Sequence, residues 1–343
     1  MSVRILIGDC RERLKDLPNA SVHCCVTSPP YFGLRDYGVD GQMGLEPTPD
    51  EFVARMVEVF REVRRVLRDD GTLWLNIGDS YKSNSDMTRN DVKAASGLRD
   101  LPRQIRAPLK TLKVKDLIGI PWMLAFALRA DGWFLRQDII WSKPNPMPES
   151  VRDRCTKAHE YLFLLSKSQR YYFDAESIAE PLAPASVERL SQVNIANQSG
   201  SGRVPGKTNG AMKAVSKYRD ADGNLKSGFE TKGGISGDLD GTLLRMGENG
   251  TRNKRSVWEV ATQPFSEAHF ATYPPALIEP CILAGCPKGG TVLDPFGGAG
   301  TTGLVADRLG RDAILIELNH QYAEIAERRL NADSPLFAEV KAA

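Results

Sequence analysis

The sequence contains little of what metal centres and membrane spans require. Its 343 residues include six cysteines and four histidines, no two cysteines form a CxxC pair, and the histidines do not lie at metal-ligand spacing beside them. We therefore expect reduced, unliganded thiols and no bound metal. No window approaches the ~18 consecutive apolar residues of a transmembrane helix. The apolar run after Arg4 is too short for a signal peptide, so a cytoplasmic protein without membrane contact is expected.

The glycine-rich segment 294–302 lacks the lysine of a P-loop. No lysine follows the glycines before Thr301 and Thr302, so no side chain of that kind would reach a β- or γ-phosphate. The segment lies between a predicted strand and a predicted helix. It is therefore a glycine turn of another kind.

Charge is distributed unevenly, although the net value is only +2. Residues 203–255 contain eleven Lys/Arg against six Asp/Glu, and residues 81–113 contain eight against three. The rest of the chain is therefore acidic overall. Two basic segments on an acidic body suit contact with nucleic-acid phosphates, because each neutralised phosphate releases counterions. Two solvated, lysine-rich loops are the alternative interpretation.

Apolar periodicity alternates between strand and helix patterns over most of the chain. Residues 50–67 carry apolar side chains at helical spacing, and the sequence Thr-Pro-Asp-Glu at 48–51 supplies a capping box with proline at the first helical position. Repeated alternation predicts an α/β fold with a doubly wound, mostly parallel sheet that binds ligands at strand carboxyl ends. Strands are predicted at residues 3–8, 22–27, 72–77, 134–141, 161–165, 291–293 and 313–316, and helices at 50–67, 116–130, 275–284, 301–309 and 320–330.

The alternation is interrupted between residues 184 and 256, where glycine, serine, asparagine and lysine replace the apolar pattern. This composition indicates an inserted region. The predicted domains are the first half of a catalytic domain at 1–180, which includes the basic segment 81–113, a basic insertion at 181–262, and the second half of the catalytic domain at 263–343.

Two short motifs carry most of the functional information. Thr-Ser-Pro-Pro-Tyr occupies residues 27–31, directly after a predicted strand, and Asp-Pro-Phe-Gly-Gly-Ala-Gly-Thr-Thr occupies residues 294–302. Together they resemble the catalytic motif and the cofactor loop of β-group DNA amino-methyltransferases, in which the catalytic motif comes first. Segments 70–79, 140–148 and 269–275 match the same family in the expected order. The resemblance implies a circularly permuted, Rossmann-like S-adenosylmethionine-dependent methyltransferase fold with an inserted target-recognition region.

The resemblance assigns the chemistry to the Ser-Pro-Pro-Tyr turn. An exocyclic amine of a base is a poor nucleophile, because its lone pair is delocalised into the ring. The Ser28 hydroxyl and the Pro29 carbonyl can hold the amine hydrogens out of plane and direct the lone pair at the methyl group. Pro29 and Pro30 fix φ and stiffen the turn. Tyr31 is expected to stack on a base that has been flipped out of the duplex.

The same resemblance implies how S-adenosylmethionine is held. The loop glycines are expected to lie against its methionine part, with the carboxylate near the start of the following helix. Glu317 would accept hydrogen bonds from both ribose hydroxyls, and Asp9 would accept one from the adenine amine, beside a competing role as an N-cap. The other predicted cofactor-binding residues are Cys10, Thr27, Tyr273, Asp294, Pro295, Phe296, Gly298, Gly300, Thr301, Thr302 and Leu318.

Double-stranded DNA is the implied partner, and the basic insertion lies where such enzymes keep their target-recognition region. Its predicted phosphate contacts are Arg203, Lys207, Lys213, Lys217, Arg252, Lys254 and Arg255. The segment 81–113 is either a second DNA contact or a linker. A homodimer and a cognate restriction endonuclease, within a restriction-modification system, are further candidate partners. DNA binding would place this cytoplasmic protein on the nucleoid.

The target base and the reaction have alternatives. In this family Ser-Pro-Pro-Tyr usually accompanies cytosine N4 methylation and Asp-Pro-Pro-Tyr adenine N6 methylation, so Ser28 favours N4-methylcytosine, with N6-methyladenine as the alternative. Carbon-5 methylation is not indicated, because Cys24 and Cys25 do not form the Pro-Cys arrangement of enzymes that attack through a thiolate. A catalytically idle DNA-binding module, or a methylase of RNA or of protein glutamine, are the alternatives from other classes.

Overall fold

A computed structural model describes residues 2–34, 38–82, 112–184, 251–263, 273–333 and 339–342, the last range by its backbone alone. The chain divides into two compact units, one made of Met1–Ser177 with Arg255–Ala343 and the other of Ile178–Lys254. Most of the second unit and most of the basic segment 81–113 lie outside the described residues. The domain boundaries inferred from the sequence therefore stay a prediction.

The described residues form two sheets. Their strands are β1 Ser2–Ile7, β2 Val22–Thr27, β3 Leu67–Ile77, β4 Phe134–Ser142, β5 His159–Ser166, β6 Glu180–Pro181, β7 Thr251–Arg252, β8 Val257–Glu259, β9 Thr291–Asp294, β10 Asp312–Glu317 and β11 Glu339–Ala342. The larger sheet has nine strands in the order β11-β1-β10-β9-β2-β3-β5-β4-β8. Neighbours from β11 to β3 are parallel, β5 is antiparallel to both β3 and β4, and β8 is parallel to β4. In the smaller unit β6 pairs with β7 in antiparallel orientation.

This order confirms the predicted doubly wound, mostly parallel sheet, and it brings distant motifs together. The parallel strands β1, β10, β9 and β2 are consecutive neighbours. Their carboxyl ends therefore lie at one edge of the sheet. Glu317 is the last residue of β10, and Asp9, the glycine loop and Ser28 follow the ends of β1, β9 and β2. The Thr27 hydroxyl donates a hydrogen bond to the Asp294 carboxylate, although the two residues are 267 positions apart in sequence. The two motifs therefore meet directly.

The helices of the described chain are α1 Cys10–Arg13, α2 Pro49–Val66, α3 Ile120–Ala130, α4 Pro275–Gly285, α5 Thr301–Arg308 and α6 His320–Asp333. The predicted start of α2 is confirmed, since the Glu51 N–H donates to the Thr48 hydroxyl at 3.2 Å and Pro49 takes the first helical position. The apolar face of α2, including Phe52, Met56 and Phe60, is fully buried in the core.

Helix α3 begins at Ile120 rather than at residue 116, because a distant side chain caps it. The Asp79 carboxylate accepts hydrogen bonds from the Gly119 N–H at 3.0 Å and from the Ile120 N–H at 3.2 Å. Gly119 has φ +87°, the left-handed region that glycine adopts without strain. Local sequence does not contain this cap, which explains the difference.

Strands β6, β7, β8 and β11 were not predicted from the sequence. β8 lies within segment 181–262, which was assigned to the insertion, yet it extends the edge of the large sheet beside β4. None of the helices in the described part of the chain has the length and apolar character needed to cross a bilayer.

Candidate active site

A cavity of about 420 Å³ lies at the edge of the sheet where the four strand ends meet. Its lining comes from both predicted motifs, from the end of β1 and from the end of β10. Of the residues predicted from sequence, the structure brings thirteen together around it: Asp9, Cys10, Ser28, Pro29, Pro30, Tyr31, Tyr273, Pro295, Phe296, Gly298, Thr301, Glu317 and Leu318. The remaining four predicted residues of this group, Thr27, Asp294, Gly300 and Thr302, are not part of the lining.

The predicted catalytic turn, residues 28–31, begins where β2 ends. Ser28 is half-buried on the cavity wall, and its hydroxyl has no hydrogen-bond partner among the residues that the structure describes. The two prolines that follow restrict φ and so hold the turn stiff. Within the described chain, no group therefore competes with a ligand for hydrogen bonds to the Ser28 hydroxyl.

Tyr31 is held by its hydroxyl and by its ring. The hydroxyl lies 2.5 Å from Glu160 Oε2 and 3.2 Å from Asn76 Oδ1, and since it has one proton, it donates to the nearer carboxylate. Asn76 Nδ2 in turn donates to the Tyr161 carbonyl at 3.1 Å. A Cβ at Gly78 would lie 2.5 Å from the Tyr31 ring, so only glycine allows this packing. The aromatic ring is thus fixed in position on the cavity wall.

Glu160 also pairs with a lysine of the same cavity. Lys143 Nζ donates to Glu160 Oε1, and the two side chains are only 17% and 16% exposed. The Lys143 ammonium lies 4.3 Å from the centroid of the Trp141 ring, in cation–π geometry. Segment 140–148 was predicted to help form the pocket, whereas Glu160 and Asn76 were not predicted, because no local motif marks either of them.

Asp294 joins the catalytic turn to the glycine loop. One carboxylate oxygen accepts hydrogen bonds from the Thr27 hydroxyl at 2.6 Å and the Phe296 N–H at 3.0 Å. The other accepts from the hydroxyls of Thr302 at 2.5 Å and Tyr273 at 2.9 Å. Burial raises the pKa of Asp294, although the donors favour its charged form. A carboxylate has about four acceptor positions, and the four donors occupy them.

Thr27, Asp294 and Thr302 thus form a hydrogen-bonded cluster outside the cavity lining, and their contact with a cofactor stays a prediction. All three side chains are at most 1% exposed. Gly300 has φ +78°, and a Cβ there would lie 2.8 Å from the Ala326 Cβ on α6. Gly300 thus allows α5 and α6 to approach closely.

Glu317 has acceptor positions left, in contrast to Asp294. Its two oxygens accept from the Gly298 N–H at 2.7 Å and from the Asn319 N–H at 2.8 Å, one bond to each. Burial raises the pKa of Glu317, while the backbone donors partly offset that effect. About one acceptor position per oxygen remains, which matches the two adjacent hydroxyls of a ribose.

Asp9 occupies the N-cap of α1, so the capping role considered for it is observed. Its carboxylate accepts from the Arg11 N–H at 2.9 Å and from the Arg11 guanidinium. Burial alone would raise the pKa of Asp9, but the bonds and charge of Arg11 more than offset this, so the pKa is lowered. Burial raises the pKa of the neighbouring Cys10 thiol to about 12, which keeps it protonated.

The start of α5 carries a cation that the sequence reading missed. Arg329 Nη1, from α6, donates to the Thr301 hydroxyl at 2.8 Å and to the Ala299 carbonyl at 3.1 Å. Its charge adds to that of the helix N-terminus, where free N–H groups favour an anion. A glycine-lined wall with this positive end and the Glu317 carboxylate fits a ligand that has both a carboxylate and a ribose.

The predicted DNA-binding residues are described only in part. In the smaller unit Arg252 and Lys254 pair with the same carboxylate, that of Glu180, at 3.6 Å and 3.4 Å. The Arg255 carbonyl accepts from the Trp258 indole at 2.6 Å. Arg203, Lys207, Lys213 and Lys217 lie outside the described residues.

Solved structures match this fold over nearly the whole chain. The PvuII DNA methyltransferase, described as cytosine-N4-specific, gives a TM-score of 0.59 at 17% identity and covers 96% of this chain and 87% of its own. A DNA modification methylase of Thermus thermophilus, TTHA0409, described as putative and solved with S-adenosyl-L-methionine, gives 0.55 at 22% identity and covers 99% of both chains. At these identities the similarity shows the fold alone.

Sequence comparisons are more specific. The chain is 42% identical over 329 residues to the type II methyltransferase M.SmaI of Serratia marcescens, which covers 96% of this chain and 91% of that protein. It is also 42% identical over 341 residues to M.Cfr9I of Citrobacter freundii, with coverage of 98% and 90%. A family model described as DNA methylase, for N6 and N4 methyltransferases, matches residues 22–328. This chain therefore belongs to the N6/N4 family of DNA methylases.

Proposed function

We propose that the protein methylates the exocyclic N4 amine of cytosine in double-stranded DNA. The methyl donor of this DNA methylase family is S-adenosylmethionine. Ser28 is the observation that carries the cytosine assignment. It stands where adenine enzymes that resemble this chain usually have aspartate, it lines the cavity, and its hydroxyl has no partner within the described residues.

The catalytic turn would activate the amine by accepting its hydrogens. The Ser28 hydroxyl oxygen and the Pro29 carbonyl oxygen would each accept a hydrogen bond from one N–H of the amine. These two bonds would turn the nitrogen lone pair out of the plane of the ring. The Tyr31 ring, fixed by Glu160, gives the flipped base a platform. S-adenosylmethionine supplies a methyl group on a positively charged sulfur. In the net reaction the methyl group would pass to N4, one N4 proton would be lost to solvent, and S-adenosylhomocysteine would be released.

No covalent bond between enzyme and base is needed. The only cysteines on β2, Cys24 and Cys25, are fully buried, and burial raises both thiol pKa values well above the ordinary range. Neither is a thiolate that could attack a ring carbon. Direct transfer to the amine is the chemistry that these residues support.

The chain's own groups would hold the cofactor at three points. Glu317 accepts the ribose hydroxyls with its remaining acceptor positions, and Asp9 accepts the adenine amine beside its bond to Arg11. The start of α5, with Gly298 and Thr301 on the cavity wall, faces the methionine carboxylate. Cys10, Tyr273, Pro295, Phe296 and Leu318 would complete the walls.

Duplex DNA would meet the protein through its basic residues. We assign phosphate contacts to Arg252, Lys254 and Arg255, and to Arg203, Lys207, Lys213 and Lys217. The relatives are named type II methyltransferases, which supports a restriction-modification role with a cognate endonuclease as partner. A homodimer, and a cytoplasmic location on the nucleoid, belong to the same proposal.

The deciding experiment incubates the purified protein with unmodified DNA and isotopically labelled S-adenosylmethionine, then digests the DNA to nucleosides for mass spectrometry. We expect the label in N4-methylcytosine. Label in N6-methyladenine would keep the fold, cofactor and mechanism but overturn the cytosine assignment. Absence of label from every base, across varied DNA, would favour an idle DNA-binding module or a methylase of RNA or protein, which competition by unlabelled duplex would separate.

A further inference from the structure

A large apolar side chain stands exposed at the mouth of the active-site cavity. Met147 is 83% exposed, and it lines the same cavity as Ser28 and Tyr31. Single exposed apolar residues are common on protein surfaces. Met147 differs from them in its place beside the catalytic turn and in the way its loop is built.

The loop that carries Met147 has little conformational freedom. Pro144, Pro146 and Pro148 alternate with the other residues just after β4. Each proline fixes its own φ and restricts the residue before it. Met147 precedes Pro148, which disfavours helical backbone at Met147, and the φ of its other neighbour, Pro146, is fixed by the proline ring.

Both ends of the loop are also anchored by side chains. Asn145 Nδ2 donates to the Thr262 carbonyl at 3.1 Å, and Asn145 Oδ1 accepts from the Thr262 N–H at 2.9 Å. On the other side Glu149 Oε2 accepts from Arg154 at 2.6 Å and from the Lys157 N–H at 3.3 Å. The loop is therefore held in place on either side of its exposed methionine.

A base-flipping enzyme needs such a side chain. Removal of a base from the stack leaves a gap in the duplex and exposes the apolar faces of the neighbouring bases. Proteins that open base steps insert apolar side chains, methionine among them, between the bases. A loop that is already rigid loses little entropy when it enters the stack.

We infer that Met147 is an apolar wedge that enters the duplex and fills the gap left by the flipped target base. The inference rests on the proposed function, because it requires a base to leave double-stranded DNA. Leu34 is also exposed on the cavity wall, at 46%. Met147 is the better candidate, since it is more exposed and its loop is anchored at both ends.

The test compares Met147→Ala with the wild type on two duplexes that contain a methylation site mapped from the wild-type product. In one duplex the target base is paired, and in the other it is mismatched and so costs less to flip. On paired DNA we expect the single-turnover rate of the alanine variant to be about tenfold lower than that of the wild type, because the barrier then includes part of the unstacking cost. On mismatched DNA the alanine variant should have nearly the wild-type rate. Met147→Leu, which keeps volume and apolar character, should retain the rate on both.

Three results would overturn the wedge. These are an unchanged rate for Met147→Ala on paired DNA, an equal loss on both duplexes, and mismatch rescue for Leu34→Ala in place of Met147→Ala. Cofactor affinity, measured in the absence of DNA, should be the same for all variants. If the wild type methylates neither duplex nor the parent DNA, the proposed function fails and the wedge with it, whereas a failure of the wedge alone leaves wild-type methylation intact.

Discussion

At the scale of single residues, the carboxylates of Asp294 and Glu317 differ in how many of their hydrogen-bond acceptor positions the fold already uses. Both end neighbouring strands, Asp294 buried and Glu317 half-buried. Within the described chain Asp294 accepts from three side-chain hydroxyls and one backbone N–H, whereas the donors to Glu317, Gly298 and Asn319 among them, are backbone N–H groups. Only the carboxylate with free acceptor positions can bind hydroxyl groups of a ligand. The sequence motif predicted a cofactor contact for both, because it contains no information on which acceptors the fold already uses.

Ser28 and Glu317 should separate turnover from cofactor binding. Ser28→Ala should keep cofactor affinity and lose about 100-fold or more in kcat, since it removes an acceptor that acts on the amine. Glu317→Ala should weaken cofactor binding about 100-fold, because two hydrogen bonds to a charged group are lost. Calorimetry with S-adenosylmethionine and single-turnover methylation would measure the two effects. Equal loss of cofactor affinity in both variants would contradict the assigned roles.

Tyr31 and Glu160 should act as a coupled pair. Tyr31→Phe keeps the ring but removes its tether, and one lost hydrogen bond of about 1 kcal/mol corresponds to a several-fold lower kcat. Glu160→Gln should lower kcat further than Tyr31→Phe does, because Lys143 also loses its charge partner. In the double variant the two effects should not add fully, since Tyr31→Phe removes the same hydrogen bond that Glu160→Gln weakens by taking away the charge of its acceptor. Strictly additive rate losses in this double-mutant cycle would show that the tether has no catalytic value.

At the scale of elements, the close approach of α5 and α6 depends on Gly300. Gly300→Ala places a non-glycine residue at φ +78° and a Cβ 2.8 Å from that of Ala326. Gly289 is a matched control, because it has φ +76° but no atom within 4 Å of an added Cβ. Gly289→Ala should lower the free energy of unfolding by about 1 kcal/mol from backbone strain alone.

Gly300→Ala should lower the free energy of unfolding by at least about 1 kcal/mol more than Gly289→Ala does, since overpacking adds to the backbone strain. It should also weaken cofactor binding, because the loop and the start of α5 must shift. Chemical denaturation and calorimetry would measure both effects. Equal stability losses at the two glycines would mean that the helices have room to separate.

The sequence predicted elements whose causes are local. The capping box of α2, the buried strand before Ser28 and the glycine turn before α5 are all found where they were expected. The partners of Tyr31 could not be predicted in this way. Glu160 is 129 residues from Tyr31 and meets it through the pairing of β2 with β3 and of β3 with β5. The Asp79 cap on α3 was missed for the same reason, because it comes from another part of the chain.

At the scale of the whole molecule, DNA affinity should depend on salt through the basic residues. Each phosphate contact that is lost should reduce the slope of log K against log salt by about 0.9. Arg252→Ala and Lys254→Ala are each expected to do so, uniformly across DNA sequences. Fluorescence anisotropy over a range of salt concentrations measures the slope. An unchanged slope in both variants would show that their charges serve only the pairing with Glu180.

The order of strands in the large sheet also sets when a newly made molecule can act. β1 and β2 are synthesised well before their sheet partners β10 and β9, with Val3 facing Ala313 and Cys24 facing Val292. Until then the first strands have no neighbours on that side, and half of the cavity wall does not exist. A nascent or truncated chain that ends before residue 291 lacks the cavity wall formed by the glycine loop and the end of β10, and it is therefore expected to be inactive.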